Sequence, residues 1–295
     1  MKFIVLILAL SSLAAQASFI DESQIQYDKL TKGEPQITQA LFNERIAQLQ
    51  SVYTPIIRNL GGKLDLKGNW GNDKIVAQAT QMLGSWKIQF SGGLARRPEL
   101  SADGMTLIIC HEIGHHVAGF PFVSGSPLGG SWAAVEGQSD YYSTHVCARR
   151  MWEQDRELNA SFAAKVNPAA KEKCDMAFTQ AADQALCYRT TVGLESVIQT
   201  MAALMNKPVP QYDTPDTTVS RGNLENHPPI QCRFDTLFQG SICASGFDDQ
   251  LIPGKKTMGG RDGLEAEREA SVNSCTTFSQ FALGLRPACW FKQRL

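Results

Sequence analysis

Residues His111-Glu112-Ile113-Gly114-His115 spell H-E-x-x-H inside an apolar run, and no other stretch of the 295-residue chain restricts its architecture as strongly. Four positions separate the two histidines, so one helical turn stacks both imidazoles on a single face, at a separation suited to one metal ion. Glu112 lies roughly 100° round the helix from His111, which puts its carboxylate beside that ion, where a water would bind. The chain must therefore bury a helix carrying two metal ligands and a general base on one turn. Pentapeptides of this form also arise by chance, so the residues that follow decide the reading.

A hydrolytic zinc site takes three protein ligands and leaves one position open. After His115 comes a Gly/Pro/Ser-rich stretch, 119–130, and then a helical run expected from Ser131 to Arg150 that carries Glu136 and Asp140 one turn apart. The spacer between His115 and Glu136 is long enough to leave one helix, turn, and return on a second beside it. Glu136 completes a His/His/Glu set for one catalytic zinc ion. Asp140 is placed to accept the ring N–H of a histidine ligand, His111 first, which fixes its tautomer. The plain alternative is a helix whose acids face solvent, but Trp132, Val135 and Tyr141 surround the pair and point to burial.

The chain opens Met1-Lys2, runs from Phe3 to Leu10 without a polar residue, and reaches Ala15-Gln16-Ala17. A short basic start, an apolar core and an A-x-A end describe a signal peptide over residues 1–17, with export to the periplasm or beyond. The run is too short to span a bilayer, and no later stretch reaches eighteen apolar residues, so no stable membrane insertion is expected after leader removal. Lys plus Arg number 28 against 29 for Asp plus Glu, and no basic run exists, which excludes nucleic acid as an expected partner. Eight cysteines in an exported chain point to disulfides. The pairs expected are Cys232 with Cys243 and Cys275 with Cys289.

Gln36 to Arg58 carries Ile37, Leu41, Ile46, Leu49, Tyr53 and Ile56 at helical spacing and stops before Gly61-Gly62. Lys63 to Lys67 alternates as a short strand, and Ile75 to Ala79 stays open between strand and helix. Trp86 to Ser91 alternates with apolar residues at 86, 88 and 90. The edge of such a strand, just ahead of the metal helix, can take an extended peptide backbone by strand addition. The metal helix is predicted from an N-cap at Ser101 to about Gly119, with Leu100 and Met105 as a hydrophobic staple. Gly114 weakens it, which points to close packing over that turn. Further helices are expected over 170–189, 190–206 and 230–244, with a Pro/Asp/Thr-rich loop at 207–225. The fold class is α+β, mainly helical, a zincin-like core with a small sheet preceding the H-E-x-x-H helix. Residues 18–245 form the catalytic domain, and 246–295 a C-terminal extension packed on it with disulfide support. His116 points elsewhere on the helix and is expected at the surface or just behind the ligands, His145 is expected at the surface, and Cys110 is expected as a buried, inert thiol.

Between the polar loop and the last of these helices lies Asn226-His227-Pro228-Pro229-Ile230-Gln231-Cys232-Arg233. Taken alone it is a turn and a helix-surface charge. The order H-E-x-x-H, E-x-x-x-D, then His-Pro with Arg six positions after the His resembles the CAAX prenyl protease/HtpX-like family of gluzincins. Ile88-Gln-Phe-Ser-Gly-Gly-Leu94 is similar to the strand ending in Gly-Leu that precedes H-E-x-x-H there. The resemblance covers roughly residues 70–240. It implies zinc on His111, His115 and Glu136, Glu112 as base, Asp140 as orienter, and His227 and Arg233 lining the site as helpers. The short spacer after His115 is nearer the thermolysin spacing, and the membrane spans of many members are missing, so prenylated membrane substrates are not expected. The function expected is that of an exported zinc endopeptidase acting on unfolded or flexible proteins, with His227 or Arg233 donating to the oxyanion. An aminopeptidase would need an acidic pocket for the free amine, and none is identifiable. A non-catalytic zinc-binding interaction protein would have no use for Glu112.

Overall fold

Thr38 turns its hydroxyl onto the backbone N–H of Leu41 at 3.2 Å and so opens the first long helix. In the computed structural model this helix, α1 (Gln39–Asn59), buries Phe42, Leu49, Tyr53 and Ile57 along one stripe. The structure describes residues 16–30, 32–124, 131–255 and 263–292. The apolar run Phe3 to Leu10 lies outside the described residues.

Gly61, at φ +85°, turns the chain out of α1 and into the sheet. Strands β1 (Gln16–Ser18), β2 (Lys63–Asn69), β3 (Ala77–Met82) and β4 (Ser85–Ser91) form one mixed sheet in the order β1-β3-β4-β2. Leu83 and Gly84 both take positive φ, 49° and 77°, which is the turn that joins β3 and β4 as a tight hairpin. The open segment around Ile75 to Ala79 is therefore largely strand. β2 runs parallel to β4, and β1 runs antiparallel to β3 from Gln16↔Thr80 to Ser18↔Gln78. One expectation is corrected here. β4, the strand ahead of the metal helix, is flanked by β3 and β2 and so offers no edge; the edge strands are β1 and β2.

Nine further α-helices follow among the described residues. A single turn, α2 (Gly92–Ala95), ends β4, and α3 (Ala102–Val117) follows. Next come α4 (Glu136–Tyr142), a wide turn over Ser143–Cys147, and α5 (Ala148–Trp152). Then follow α6 (Arg156–Ala160), α7 (Pro168–Ala177), α8 (Ala181–Met205), α9 (Ile230–Ser241) and α10 (Leu264–Ala270). The fold is α+β and mainly helical. None of these helices is long and apolar enough to cross a membrane.

Two helix boundaries depart from expectation. The helix expected from Ser131 starts only at Glu136. The preceding residues are extended because Val123 N–H donates to Ala133 O and Val135 N–H to Pro121 O, both at 2.9 Å, which pairs them with 121–123. The two helices expected over 170–206 divide at 178–180 and not at 190. Thr190 and Thr191 do not break α8, since their hydroxyls bond back to Leu186 O and Tyr188 O at 2.9 and 2.8 Å.

Four disulfides are formed: Cys110–Cys147, Cys174–Cys187, Cys232–Cys289 and Cys243–Cys275. The expected pairing of Cys232 with Cys243 fails on geometry. Both lie on or just past α9, where eleven residues span roughly 16 Å, far beyond the ~7 Å limit between bridged Cα atoms. Cys110 is corrected too: it is no free thiol but pins the metal helix to the wide turn after α4. Two of the bridges tie the last fifty residues to α9 and its end. Trp290 from this segment is buried flat against Gly137, where a Cβ would meet its ring at 2.2 Å.

Candidate metal centre

Ser101 caps α3 by accepting from Gly104 N–H at 3.0 Å. Gly104 to Val117 are then buried without exception, so the helix runs through the core as a rod. Asp103 in its first turn meets the buried Arg189 guanidinium through two bonds of 2.9 and 3.0 Å. At the far end a Cβ on Gly114 would lie 3.0 Å from Ser139 Cα. That close approach explains a glycine in mid-helix and brings α4 against the H-E-x-x-H turn.

His111 Nε2 and His115 Nε2 face each other at 3.1 Å, and Glu136 offers its two carboxylate oxygens at 3.3 Å from the first and 3.6 Å from the second. The outer nitrogens are both engaged. His111 Nδ1 stands 2.8 Å from Asp140 Oδ1; His115 Nδ1 stands 2.8 Å from Ala134 O and 3.0 Å from Ser139 Oγ. With Nδ1 turned toward Asp140 on one ring and Ala134 O on the other, both Nε2 atoms point into the same space. Two lone pairs at that distance repel unless a cation lies between them. Donors held at 2.0–2.1 Å around a tetrahedral zinc stand roughly 3.3 Å apart, which matches the observed spacings. The His111, His115 and Glu136 group could hold a metal ion, all three being buried. A second grouping, Asp216 with Cys232 and Cys289, is no metal site, because its two sulfurs are bonded to each other.

Asp140 is itself gripped. Arg233 Nε and Nη2 reach its two oxygens at 2.7 Å each, and both side chains are almost wholly buried. A chain of charge thus runs from Arg233 through Asp140 to the His111 ring. Burial disfavours the charged forms of all these groups, but the pairing wins. Against burial, Asp140 and Glu136 push the His111 ring up to about 9. Glu136 and Asp140 stay below the ordinary carboxylate range, held there against burial by the imidazoles and Arg233. For His115 burial prevails and takes the ring down to about 4.

Glu112 is the exception. It is fully buried, and among the described residues no hydrogen bond of good geometry reaches either oxygen. Burial, reinforced by the Glu136 charge, pushes its carboxyl up to about 8, against the opposing pull of His111, the Phe19 N–H and Arg233. A carboxyl poised in that range near a donor cluster suits proton transfer.

His227 comes from the loop ahead of α9, and its ring reaches the cluster. Nε2 lies 3.4 Å from Glu136 Oε2 and 2.7 Å from the Ser18 carbonyl oxygen. Arg233 Nη2 also approaches Glu136 Oε2 at 3.7 Å, while its Nη1 donates to Phe19 O. All seven residues singled out in the sequence, His111, Glu112, His115, Glu136, Asp140, His227 and Arg233, therefore meet at one place.

The other two histidines are not at the surface. His116 is stacked between Trp86 and Trp132, with ring centroids 5.3 and 4.8 Å away, and burial drives its pKa down to about 3. His145 is buried beside the Ser245 carbonyl at 3.0 Å. Sequence reasoning missed Ala134 and Ser139 as partners of His115. It also did not anticipate β1, because Gln16 and Ala17 fall within the leader expected over 1–17 and three residues show no periodicity.

No protein-family model matches this sequence, and no curated protein or solved structure is a significant match to it.

Proposed function

We propose that this protein is an exported, zinc-dependent endopeptidase that hydrolyses peptide bonds of unfolded or flexible proteins. The observation that carries this reading is a buried carboxylate without hydrogen-bond partners, Glu112, set beside three converging donors, His111, His115 and Glu136. Two imidazole nitrogens and one carboxylate form a borderline-soft set that suits zinc better than calcium or magnesium, which take oxygen ligands. Zinc there would supply Lewis acidity toward a water and a peptide carbonyl.

The chain's own groups divide the remaining work. Asp140, braced by Arg233, holds the His111 ring with Nδ1–H outward, and Ala134 O does the same for His115. Glu112 takes a proton from water on a carboxylate oxygen and delivers it to the leaving nitrogen. His227 Nε2–H already donates to a peptide carbonyl, that of Ser18, and the same donor would meet a developing oxyanion. Arg233 Nη1 holds the next carbonyl along, that of Phe19.

Endopeptidase is favoured over aminopeptidase because the sequence offers no identifiable acidic pocket for a free amine. A non-catalytic zinc-binding role is disfavoured, since a buried carboxyl without a hydrogen bond is a cost with no structural return. Four disulfides accord with export. The test is hydrolysis of unfolded casein with and without a chelator. Cleavage that stops on chelation and returns with zinc supports the reading; undiminished cleavage in chelator, or none in zinc-loaded protein, overturns it.

A further inference from the structure

The run from Leu224 to Arg233 leads out of the polar loop into the start of α9 and carries His227. Three of its residues reach outward, and each ends on a different part of the metal-binding cluster. Arg233 grips Asp140 at 2.7 Å per bond, and Asp140 stands 2.8 Å from His111 Nδ1. Leu224 N–H donates to Trp290 O at 2.8 Å, and the Trp290 ring lies against Gly137, the neighbour of Glu136. Glu225 accepts from Ser124 with both carboxylate oxygens, from its N–H at 3.0 Å and from its hydroxyl.

Ser124 leads to His115. It follows Val123, whose N–H donates to Ala133 O at 2.9 Å, and the next carbonyl, that of Ala134, stands 2.8 Å from His115 Nδ1. Each of the three candidate ligands is therefore joined to the His227 loop by its own short path. The path through Trp290 is braced by the Cys232–Cys289 bridge beside it. Around His227 itself the backbone has little else to hold it. Among the described residues neither Asn226 nor His227 makes a backbone hydrogen bond, and Pro228 and Pro229 have no N–H to give. The two bonds at Ser124 thus fix the loop just ahead of His227, with the direction that a charged acceptor imposes on two donors of one residue.

We infer that Glu225 is a positioning residue: by clamping the loop to Ser124 it registers His227 against the stretch that orients His115. Its effect passes through His227, so it rests on the hydrolytic reading, in which His227 donates to the oxyanion; the registration itself can be measured without catalysis. Glu225 and Ser124 are both exposed, so losing the clamp costs the fold little. It costs the reaction more, because a donor displaced by about 1 Å can lose about a hundredfold in rate. A loosened loop still visits the right place, which leaves a loss of about tenfold in kcat. KM stays unchanged, since the weakened contact is one made in the transition state.

The experiment compares the zinc-loaded exported protein with its Glu225→Ala and Glu225→Gln variants. The chain holds 5 histidines, so carbon-13 labelling of their rings gives a spectrum in which His227 is identified by its absence from His227→Ala. In Glu225→Ala the His227 signal shifts or broadens while those of the buried His116 and His145 stay in place. Casein hydrolysis falls about tenfold in kcat, with KM, zinc content and melting temperature unchanged. Glu225→Gln keeps an acceptor oxygen and recovers most of both readouts. Ser124→Ala added to Glu225→Ala brings no further loss, because one clamp cannot be removed twice. An unmoved His227 signal or an unchanged kcat in Glu225→Ala overturns the inference, and movement of all the ring signals, the mark of a general structural loss, does so too. A His227 signal that moves in a protein whose wild type cleaves no casein would sink the hydrolytic reading and spare the registration; equal casein cleavage by wild type and variants does the reverse.

Discussion

Arg233 holds Asp140 in a two-pronged grip of 2.7 Å per hydrogen bond, ninety-three residues away in sequence and out of reach of solvent. Asp140 is the residue that orients His111. Removing the guanidinium with Arg233→Leu leaves a buried carboxylate without its main counter-charge, which costs about 3–5 kcal/mol. Urea denaturation of the metal-free variant measures this. Asp140→Asn keeps the shape but weakens the hold on His111, and zinc affinity should fall about 10–100-fold. Competition with a chromophoric chelator reads that number, and unchanged affinity would leave Asp140 no orienting role.

Glu112→Gln should retain zinc and lose casein hydrolysis by about 10²–10⁴-fold, since it removes only the proton carrier. It should also raise the melting temperature of the metal-free protein at pH 9, because it deletes a charge that the fold leaves without a hydrogen bond. A variant with wild-type turnover would refute the role of Glu112.

His227→Ala should lower kcat by roughly a hundredfold to a thousandfold, the usual effect of losing one oxyanion donor. Its ring is partly exposed and its Nε2 meets Ser18 O and Glu136 among the described residues, so zinc content and melting temperature should change little. Unchanged kcat would reduce His227 to a residue that merely tethers the segment 16–20.

The metal-free protein should lose stability between pH 7 and pH 9. The folded pKa of His111 is raised from 6.5 to about 9, so its stabilising charge is fully present below 6.5 and is lost as pH climbs through 9. Glu112, raised from 4.5 to about 8, has the same sign: folding favours its neutral form, and that advantage goes as pH rises through 8. His115 is lowered to about 4, so its contribution is complete above 6.5 and lost only on acidification, outside this window. The melting temperature in chelator should fall by several degrees from pH 7 to 9. A rise over that interval would contradict the pairing described for His111.

That His111, His115, Glu136 and Asp140 would share one space was legible, because helical spacing is fixed by the backbone and each pair lies one turn apart. The local start of α3 at Ser101 was legible for the same reason. What holds His115 was not: Ala134 offers its carbonyl only because 131–135 is stretched against 121–123, and nothing in that run distinguishes a strand-like bridge from a helix start. His116 and His145 were misplaced because a helical wheel reports direction and not what lies there; His116 points at two tryptophans from distant segments. Disulfide partners depend on tertiary distance alone, and the expected pairs failed on it.

The Cys110–Cys147 bridge closes 37 residues and ties the metal helix to the turn after α4. Replacing both by Ala should cost roughly 4 kcal/mol by the loop-entropy relation. Guanidinium denaturation checks it, and a loss under about 1 kcal/mol would mean that the packing of α3 on α4 alone sets the site.

The central claim is that His111, His115 and Glu136 hold one zinc ion, and elemental analysis of the purified protein tests it most directly. The account predicts about one zinc per chain, falling close to none in His111→Ala. Protein that carries no metal after zinc is supplied, or a His111→Ala variant with undiminished zinc, would contradict it.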